Sequence, residues 1–311
     1  MQSSSPANAS SHSSDNDTLA SYITKYVKEN NRRYHAYKAG SYWGPNDESA
    51  NEGQNLAHAM YVETLDGALH LAPLENPQQI LDVGTGTGIW AIDMADQYTE
   101  AEVTGIDLSP IQPEMVPVNC VFEVDDANLE WTWDDNFFDF VHVREMFGSI
   151  SDWSALCNEA LRCIKPGGYI EIVEHSIHTF SDDGTLPPDS TLAVWGDVMD
   201  KIGRKWGKTF NVWKESKSIL ERAGFVDVVD VRFKWPVNPW PNDPKLKQLG
   251  KLNEIRLIEN LEAFTMRLLT QAGNMTANEA HVYLAQVRKA VKDQSIHGYL
   301  VVSVVYGKKA N

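Results

Sequence analysis

The chain is poor in cysteine, and what it has is badly spaced for chemistry. Cys120, Cys157 and Cys163 are the only three in 311 residues. No pair has the spacing of a zinc site, and an odd count in this pattern suits a reducing compartment better than a disulfide framework. Cys163 falls inside an amphipathic helical pattern, so a buried thiol is a simpler reading than a nucleophile. No metal is expected. Positive charge is scarce as well: 27 Lys and Arg stand against 43 Asp and Glu, a net charge of −16. That balance argues against a general nucleic-acid binder and against a basic membrane-surface protein. No apolar run approaches the roughly 18 residues of a membrane span, and the first residues lack the charged-then-apolar order of a secretory signal. An internal repeat, a second glycine-rich site and a basic localisation run are all missing. These absences lead to the expectation of a soluble, intracellular protein, cytoplasmic with the nucleus left open.

What is present centres on Ile80–Trp90, ILDVGTGTGIW. An apolar run with one acid, then glycines at 84, 86 and 88, then helix-compatible residues read as strand, tight turn and helix start. Gly84 and Gly86 let the backbone adopt positive φ and let a ligand approach without a Cβ in the way. The helix beginning near Thr87 offers free N–H groups and the positive end of its dipole. A dinucleotide fingerprint would need glycine at 89, where this chain has Ile89. Asp82 would repel a pyrophosphate but attract the ammonium and sulfonium of S-adenosylmethionine, directly or through water. Asp107 closes a second strand about twenty residues beyond the loop, where an acid accepts from both ribose hydroxyls. The cofactor residues expected are therefore Asp82, Gly84, Thr85, Gly86, Gly88, Asp107 and Leu108. A third strand over Val121–Val124 adds Asp126, facing the adenine amino group, with Ala127 beside it.

The rest of the chain alternates in the same way. Residues 1–17 are mostly Ser, Asn, Asp and Ala and read as a disordered tail. Thr18 caps a helix with Leu19, Ile23, Tyr26 and Val27 on one face, and a second helix spans about Ala50 to Leu71. Between them Tyr34, His35, Tyr37, Tyr42 and Trp43 are read either as a wall over a ligand or as packing. FFDFVHV makes a fourth strand running into Arg144, Glu145 and Met146, close to the reacting centre of an open α/β sheet. His142 lies within that strand as a core histidine. A helix over 151–164 stops at the turn Lys165-Pro166-Gly167-Gly168, and Tyr169–Val173 is a fifth strand. At its carboxyl end Glu174 and His175 are the general-base candidates, with His175 the choice for catalysis. Helices follow over Thr191–Lys205 and Val212–Ala223, then strands over Phe225–Trp235 and His297–Tyr306. Helical patterns at about 245–272 and 276–293 separate those strands and suggest a cap over the substrate. Tyr34, Tyr42, Glu145, Glu174 and Trp195 are the expected substrate contacts.

With these stretches placed, the chain resembles class I SAM-dependent methyltransferases, and more narrowly the fungal LaeA-like group. The resemblance runs over about residues 31–308: RRYHAY, ILDVGTGTGIWAID, GIDLSPIQP, DDANLEW, FDFVHVRE with GSISDW, KPGGYIE, AGFVDV, PWPNDP and IHGYLVVSVVYGKK. It implies an α/β fold, a Rossmann-like seven-stranded sheet with the last strand antiparallel, carrying helical cap insertions at about 185–212 and 244–294. The implied division is an N-terminal helical cap segment over 18–72 and a SAM-binding domain over 73–311. It carries the glycine loop to Gly84, Gly86 and Gly88, the ribose acid to Asp107, and the adenine-side acid to Asp126. Arg144, counted among the expected cofactor contacts, matches the group's strand-four arginine, and His297 its late histidine. The expected activity is methylation of a hydroxyl or carboxyl of a small secondary metabolite. The alternative is a regulator of secondary metabolism acting through protein partners in the nucleus. A third class, an NAD-dependent oxidoreductase, shares the loop and Asp107 but conflicts with Asp82 and the glycine spacing. The acceptor and the oligomeric state are not readable from the residues.

Overall fold

The computed structural model describes residues 26–38 and 40–311. The expected tail and nearly all of the helix expected from Thr18 lie outside the described residues. Where that helix would end, the chain instead makes a hairpin: β1 (Val27–Glu29) pairs antiparallel with β2 (Arg32–Tyr34). Asn30 and Asn31 join them at φ 50° and 60°. Two successive left-handed residues match the twist of a two-residue hairpin, and asparagine tolerates that region. α1 (Glu48–Thr64) is capped by Asp47, which accepts from Ala50 N at 3.1 Å. It ends well short of Leu71 because Asp66 and Gly67 turn left-handed, at φ 56° and 91°.

Seven further strands and six helices follow. They begin with β3 (Gln79–Val83), α2 (Ile89–Gln97), β4 (Glu102–Asp107), β5 (Cys120–Val124) and β6 (Phe138–Arg144). Next come α3 (Trp153–Cys163), β7 (Ile164–His175), α4 (Thr191–Trp206) and α5 (Val212–Ala223). The chain closes with β8 (Val226–Pro236), α6 (Pro244–Gln271), α7 (Ala277–Val291) and β9 (Tyr299–Lys308). β3 to β9 form one sheet in the order β5-β4-β3-β6-β7-β9-β8. β9 runs antiparallel to both neighbours, whereas β5, β4, β3, β6 and β7 are mutually parallel. The Lys165–Gly168 stretch is not a free turn but the irregular start of β7. There the pairing jumps from Phe138↔Ile164 to Phe140↔Tyr169.

The chain leaves β3 toward β5, then returns across the sheet to β6. Such a reversal opens a crevice beyond the carboxyl ends of β3 and β6, where open α/β sheets hold ligands. Strand alternation divides the core. Ile80 and Phe140 pack with Trp90 and Met94 under one face, while Leu81, Val83, Val141 and Val143 join a larger core on the other. The larger core continues beneath α4, α6 and α7 through Leu192, Met199, Leu261 and Leu284.

α6 packs on α1 and α7, so the insertion between β8 and β9 sits over the crevice. Gly53 of α1 permits that approach: a Cβ there would lie 2.4 Å from Asn260 Oδ1 on α6. Gly53→Val is expected to cost about 1–3 kcal/mol by overpacking this contact. Urea unfolding with an unchanged midpoint would show that α1 and α6 need no such clearance.

Candidate active site

The strand register builds the floor of the site. Parallel pairing puts Asp82 beside His142, on the same face of the sheet. His142 Nδ1 donates to Asp82 Oδ1 at 2.8 Å, and Thr85 Oγ1 donates to Asp82 Oδ2 at 2.6 Å. His142 is buried and stacked 3.6 Å from Trp90. Burial pushes its pKa down to about 4, against the opposing pull of Asp82. It is the core histidine that the strand pattern suggested. Asp82 departs from expectation: it is 3% exposed, lies beneath the loop and does not line the crevice. Direct contact with a cofactor is thus replaced by fixing the turn from below.

Above it, Gly84 N and Thr85 N both donate to Ile106 O at 2.9 Å, tying the loop to β4. Gly84 has φ 73°, and a Cβ on it would lie 2.1 Å from Met146 Sδ, so a side chain there would be strained and would displace Met146. Gly84, Thr85 and Gly86 line the crevice. Gly88 does not; it starts α2, and a Cβ there would strike the Phe122 ring at 2.4 Å. Its role is packing rather than cofactor contact.

The crevice holds about 1370 Å³ of non-atom space, open solvent included. Asp107 lines it at the end of β4, accepting from Gly86 N at 3.0 Å and Ser109 N at 2.9 Å. Burial raises its pKa to about 6, partly offset by those backbone donors. Leu108, Ala127 and Asp126 continue the lining. An acid for a diol, two apolar side chains for a flat ring and a second acid beyond them fit adenosine by the chemistry of the donor set. Asp126 is already engaged, because Lys38 Nζ lies 2.6 Å from its Oδ2. Burial opposes ionisation of Asp126, yet Lys38 and Asn128 hold its pKa below the ordinary range. The N-terminal segment therefore straps across the Asp126 end of the crevice. Of the aromatic residues in that segment, Tyr42 and Trp43 line the crevice. Tyr34 does not reach it: Arg267 lies over the Tyr34 ring at 3.5 Å, and the pair anchors the strap to α6. Burial pushes the Tyr42 hydroxyl above its ordinary range.

The carboxyl end of β6 carries the reacting end of the crevice. Arg144 lines it, lying over Tyr61 at 5.0 Å and 3.2 Å from His58 Nδ1. Glu145 follows at φ 52°, a strained position for a side-chain-bearing residue. It is held there by its own backbone bond to Val173 O and by Tyr61 and Arg256 on its carboxylate. Burial opposes its charge, but Arg256, His175 and Arg144 keep its pKa below the ordinary value. Glu174 lines no cavity; it accepts from Met146 N at 2.8 Å and Phe147 N at 3.3 Å and so fixes the residues that do. Burial pushes its pKa far up.

His175 also departs from the role expected of it. Its Nδ1 is bonded to Ser176 O at 3.0 Å, and Arg256 Nη2 approaches Nε2 at 3.1 Å. The ring donates at Nδ1, and its one lone pair is taken by a guanidinium. Burial first, then Arg256, pushes its pKa down to about 4. A base needs a free lone pair near neutral pH, so this arrangement does not make His175 one.

Beyond Phe147 lies an inner cavity with about 670 Å³ of non-atom space, open solvent included, lined by α4, α6 and α7. His175 and Trp195 line it, Trp195 stacked 5.9 Å from Tyr283. Trp43, Phe147, Arg256 and Phe264 border both spaces. His297 lies in neither; it stacks on Trp240 at 4.6 Å and pairs with Asp183. Sequence reading overlooked Arg256 and Asn260. The signal was there: Asn253, Arg256, Asn260 and Arg267 recur at helical spacing, and all are buried.

Asp107→Ala is expected to weaken S-adenosylmethionine binding by about 1–3 kcal/mol, the scale for losing a charged acceptor. The ribose hydroxyls donate to the ionised acid, so affinity should hold above pH 7 or so and fall as pH drops through about 6. In the free protein the sign reverses. The buried acid favours its neutral form, so its contribution to stability is present below the ordinary carboxylate range and lost as pH rises through about 6. Calorimetry across pH checks both: Asp107→Asn should flatten the binding curve, and a slope that survives removes Asp107 from the ribose contact.

A methyltransferase-domain family model matches residues 56–228, which run from within α1 to the start of β8 and contain the whole glycine loop. The chain is 39% identical to "Methyltransferase pytC" of Aspergillus terreus over 294 residues, covering 94% of this chain and 90% of that protein. It is also 39% identical to "Secondary metabolism regulator LAE1" of Cochliobolus heterostrophus, covering 87% of this chain and 91% of that protein. Among solved structures, a Haemonchus contortus phosphoethanolamine N-methyltransferase 2 in complex with S-adenosyl-L-methionine shares the fold at TM-score 0.52 and 15% identity. That likeness covers 96% of this chain and 74% of the solved one. Fold, glycine turn, strand-end acid and relatives agree: the chain belongs to the methyltransferase-domain family and is a class I methyltransferase that uses S-adenosylmethionine.

Proposed function

We propose that the chain methylates a hydroxyl or carboxyl group of an apolar small molecule of fungal secondary metabolism, seated in the inner cavity. One observation carries this reading: cofactor crevice and inner cavity share the wall made by Trp43, Phe147, Arg256 and Phe264. An acceptor whose body lodges among Trp195, Leu192, Met199 and Leu261 has its reacting end at that shared border, toward the methyl donor. One relative's name points the same way, that of a methyltransferase.

The bound cofactor supplies a methyl group on a sulfonium, already a good leaving group. The protein's task is to align nucleophile, methyl carbon and sulfur, and to keep water out. Gly84–Gly86 and Asp107 would hold the donor, while the cap helices and the aromatic side chains of the inner cavity would surround the acceptor. With His175 bonded to Arg256, the acceptor must bring its own acidity. We place the protein in the cytoplasm.

The second reading is a regulator that works through protein partners in the nucleus; the resemblance to LAE1 over 87% of the chain favours it. Incubation of a deletion strain's metabolite extract with the protein and isotopically labelled S-adenosylmethionine distinguishes the two. A labelled small molecule supports the enzyme, and label-free extract with defined captured partners supports the regulator. Trp195→Ala removes an aromatic wall of the acceptor's space. It should lower acceptor kcat/KM about 10–100-fold, the scale for losing one large buried contact, with S-adenosylmethionine affinity unchanged. An unaltered kcat/KM would move the acceptor out of the inner cavity.

A further inference from the structure

Arg256 sits midway along α6 with 1% of its surface exposed. Its Nη2 donates to Glu145 Oε1 at 2.8 Å and faces His175 Nε2 at 3.1 Å. Its Nε and Nη1 are also buried and find no acceptor among the described residues. A guanidinium presents five N–H donors in a planar fork, and burying them unmet is costly. The other neighbours supply no acceptor: Phe264 and Trp235 offer ring faces at 5.0 and 5.7 Å. Charge is unbalanced in the same direction. Glu145 answers both Arg256 and Arg144, and burial drives the nearby Glu174 toward its neutral form. The cluster thus holds a cation with donors to spare where the two spaces meet.

We propose that Arg256 anchors a carboxylate of the methyl acceptor, so that the substrates are apolar carboxylic acids and the products methyl esters. The inference rests on the reading of the inner cavity as the acceptor's space. Arg256 is the cation that borders that cavity, amid Trp43, Phe147, Leu257 and Leu261. An apolar body with one acidic end matches that lining. The chemistry also agrees with the absence of a free base at His175. One carboxylate oxygen rests on Arg256 while the other forms the new O–C bond. The S–C bond of the donor breaks with its electron pair left on sulfur. Ester and thioether result, and no proton is transferred.

The test uses the full chain with S-adenosylhomocysteine and four probes: 2-naphthoic acid, 2-naphthamide, 2-naphthol and decanoic acid. Calorimetry should show naphthoic acid binding about tenfold or more tighter than the amide or the naphthol, as expected for a charge-assisted pair. Arg256→Gln should erase that preference, weakening the acids about 10–100-fold while S-adenosylmethionine affinity stays within about twofold. Arg256→Lys keeps the charge without the fork and should retain part of it. With labelled S-adenosylmethionine, acids taken as acceptors should give base-labile methyl esters.

Equal binding of acid and amide by the unaltered chain overturns the proposal, and needs no variant to fold. So does an Arg256→Gln protein that loses S-adenosylmethionine affinity but not acid binding, since the guanidinium then serves the cofactor's own carboxylate. Acid binding that depends on Arg256 but not on Trp195 would overturn the cavity reading and with it the substrate class. No uptake of S-adenosylmethionine by the unaltered chain would sink the methyltransferase assignment itself, a result independent of the acid preference.

Discussion

The structure depends on one buried acid. Asp82 receives His142 on one oxygen and Thr85 on the other, and so joins β3, β6 and the glycine turn beneath the crevice. A buried carboxyl without partners would be costly; with both oxygens bonded it becomes a fixed brace. The turn above it needs that brace because its glycines carry no side chains with which to hold themselves. Ile106 O grips the turn from β4, and Met146 fills the space above Gly84. Asp107 is then presented to the crevice, with Gly86 N already on one of its oxygens.

A second set of bonds governs access. The N-terminal segment is tied down at separated points: Arg32 on Asp47, Lys38 on Asp126, and Arg267 on Glu29 and over Tyr34. Tyr42 and Trp43 are brought over the crevice as a consequence. The partly exposed pairs contribute little individually, but the Arg267–Tyr34 stack is buried and joins the strap to α6. The insertion helices and the strap thus form one roof. It is more polar underneath than a simple lid, since Arg256 and Asn260 face the crevice.

Much of the catalytic architecture could be read before any coordinates. The alternation of strands and helices, the glycine turn, Asp107 at a strand end and the long insertion before the last strand all correspond to what the molecule shows. Local chemistry governs these features, because turn residues, caps and apolar periodicity act within a few positions of themselves. Misreadings clustered where a side chain's partner lies far along the chain. Tyr34 is claimed by Arg267, Glu174 by the Met146 and Phe147 amides, and His175 by Arg256. The hairpin at Asn30–Asn31 is a different case: no strand pair was read there, because it is set by two successive left-handed residues, which apolar spacing does not register.

The residues alone determined the sheet, its ligand-bearing edge and the kind of cofactor that fits it, since each is written in short-range patterns of backbone freedom and charge. Tertiary structure decided which titratable groups remain available. Asp82 turned inward and Arg256 arrived from an insertion 111 residues beyond its partner Glu145. Whether a buried polar group is spent on the fold or left for a ligand depends on who meets it in space, and spacing along the chain does not carry that information.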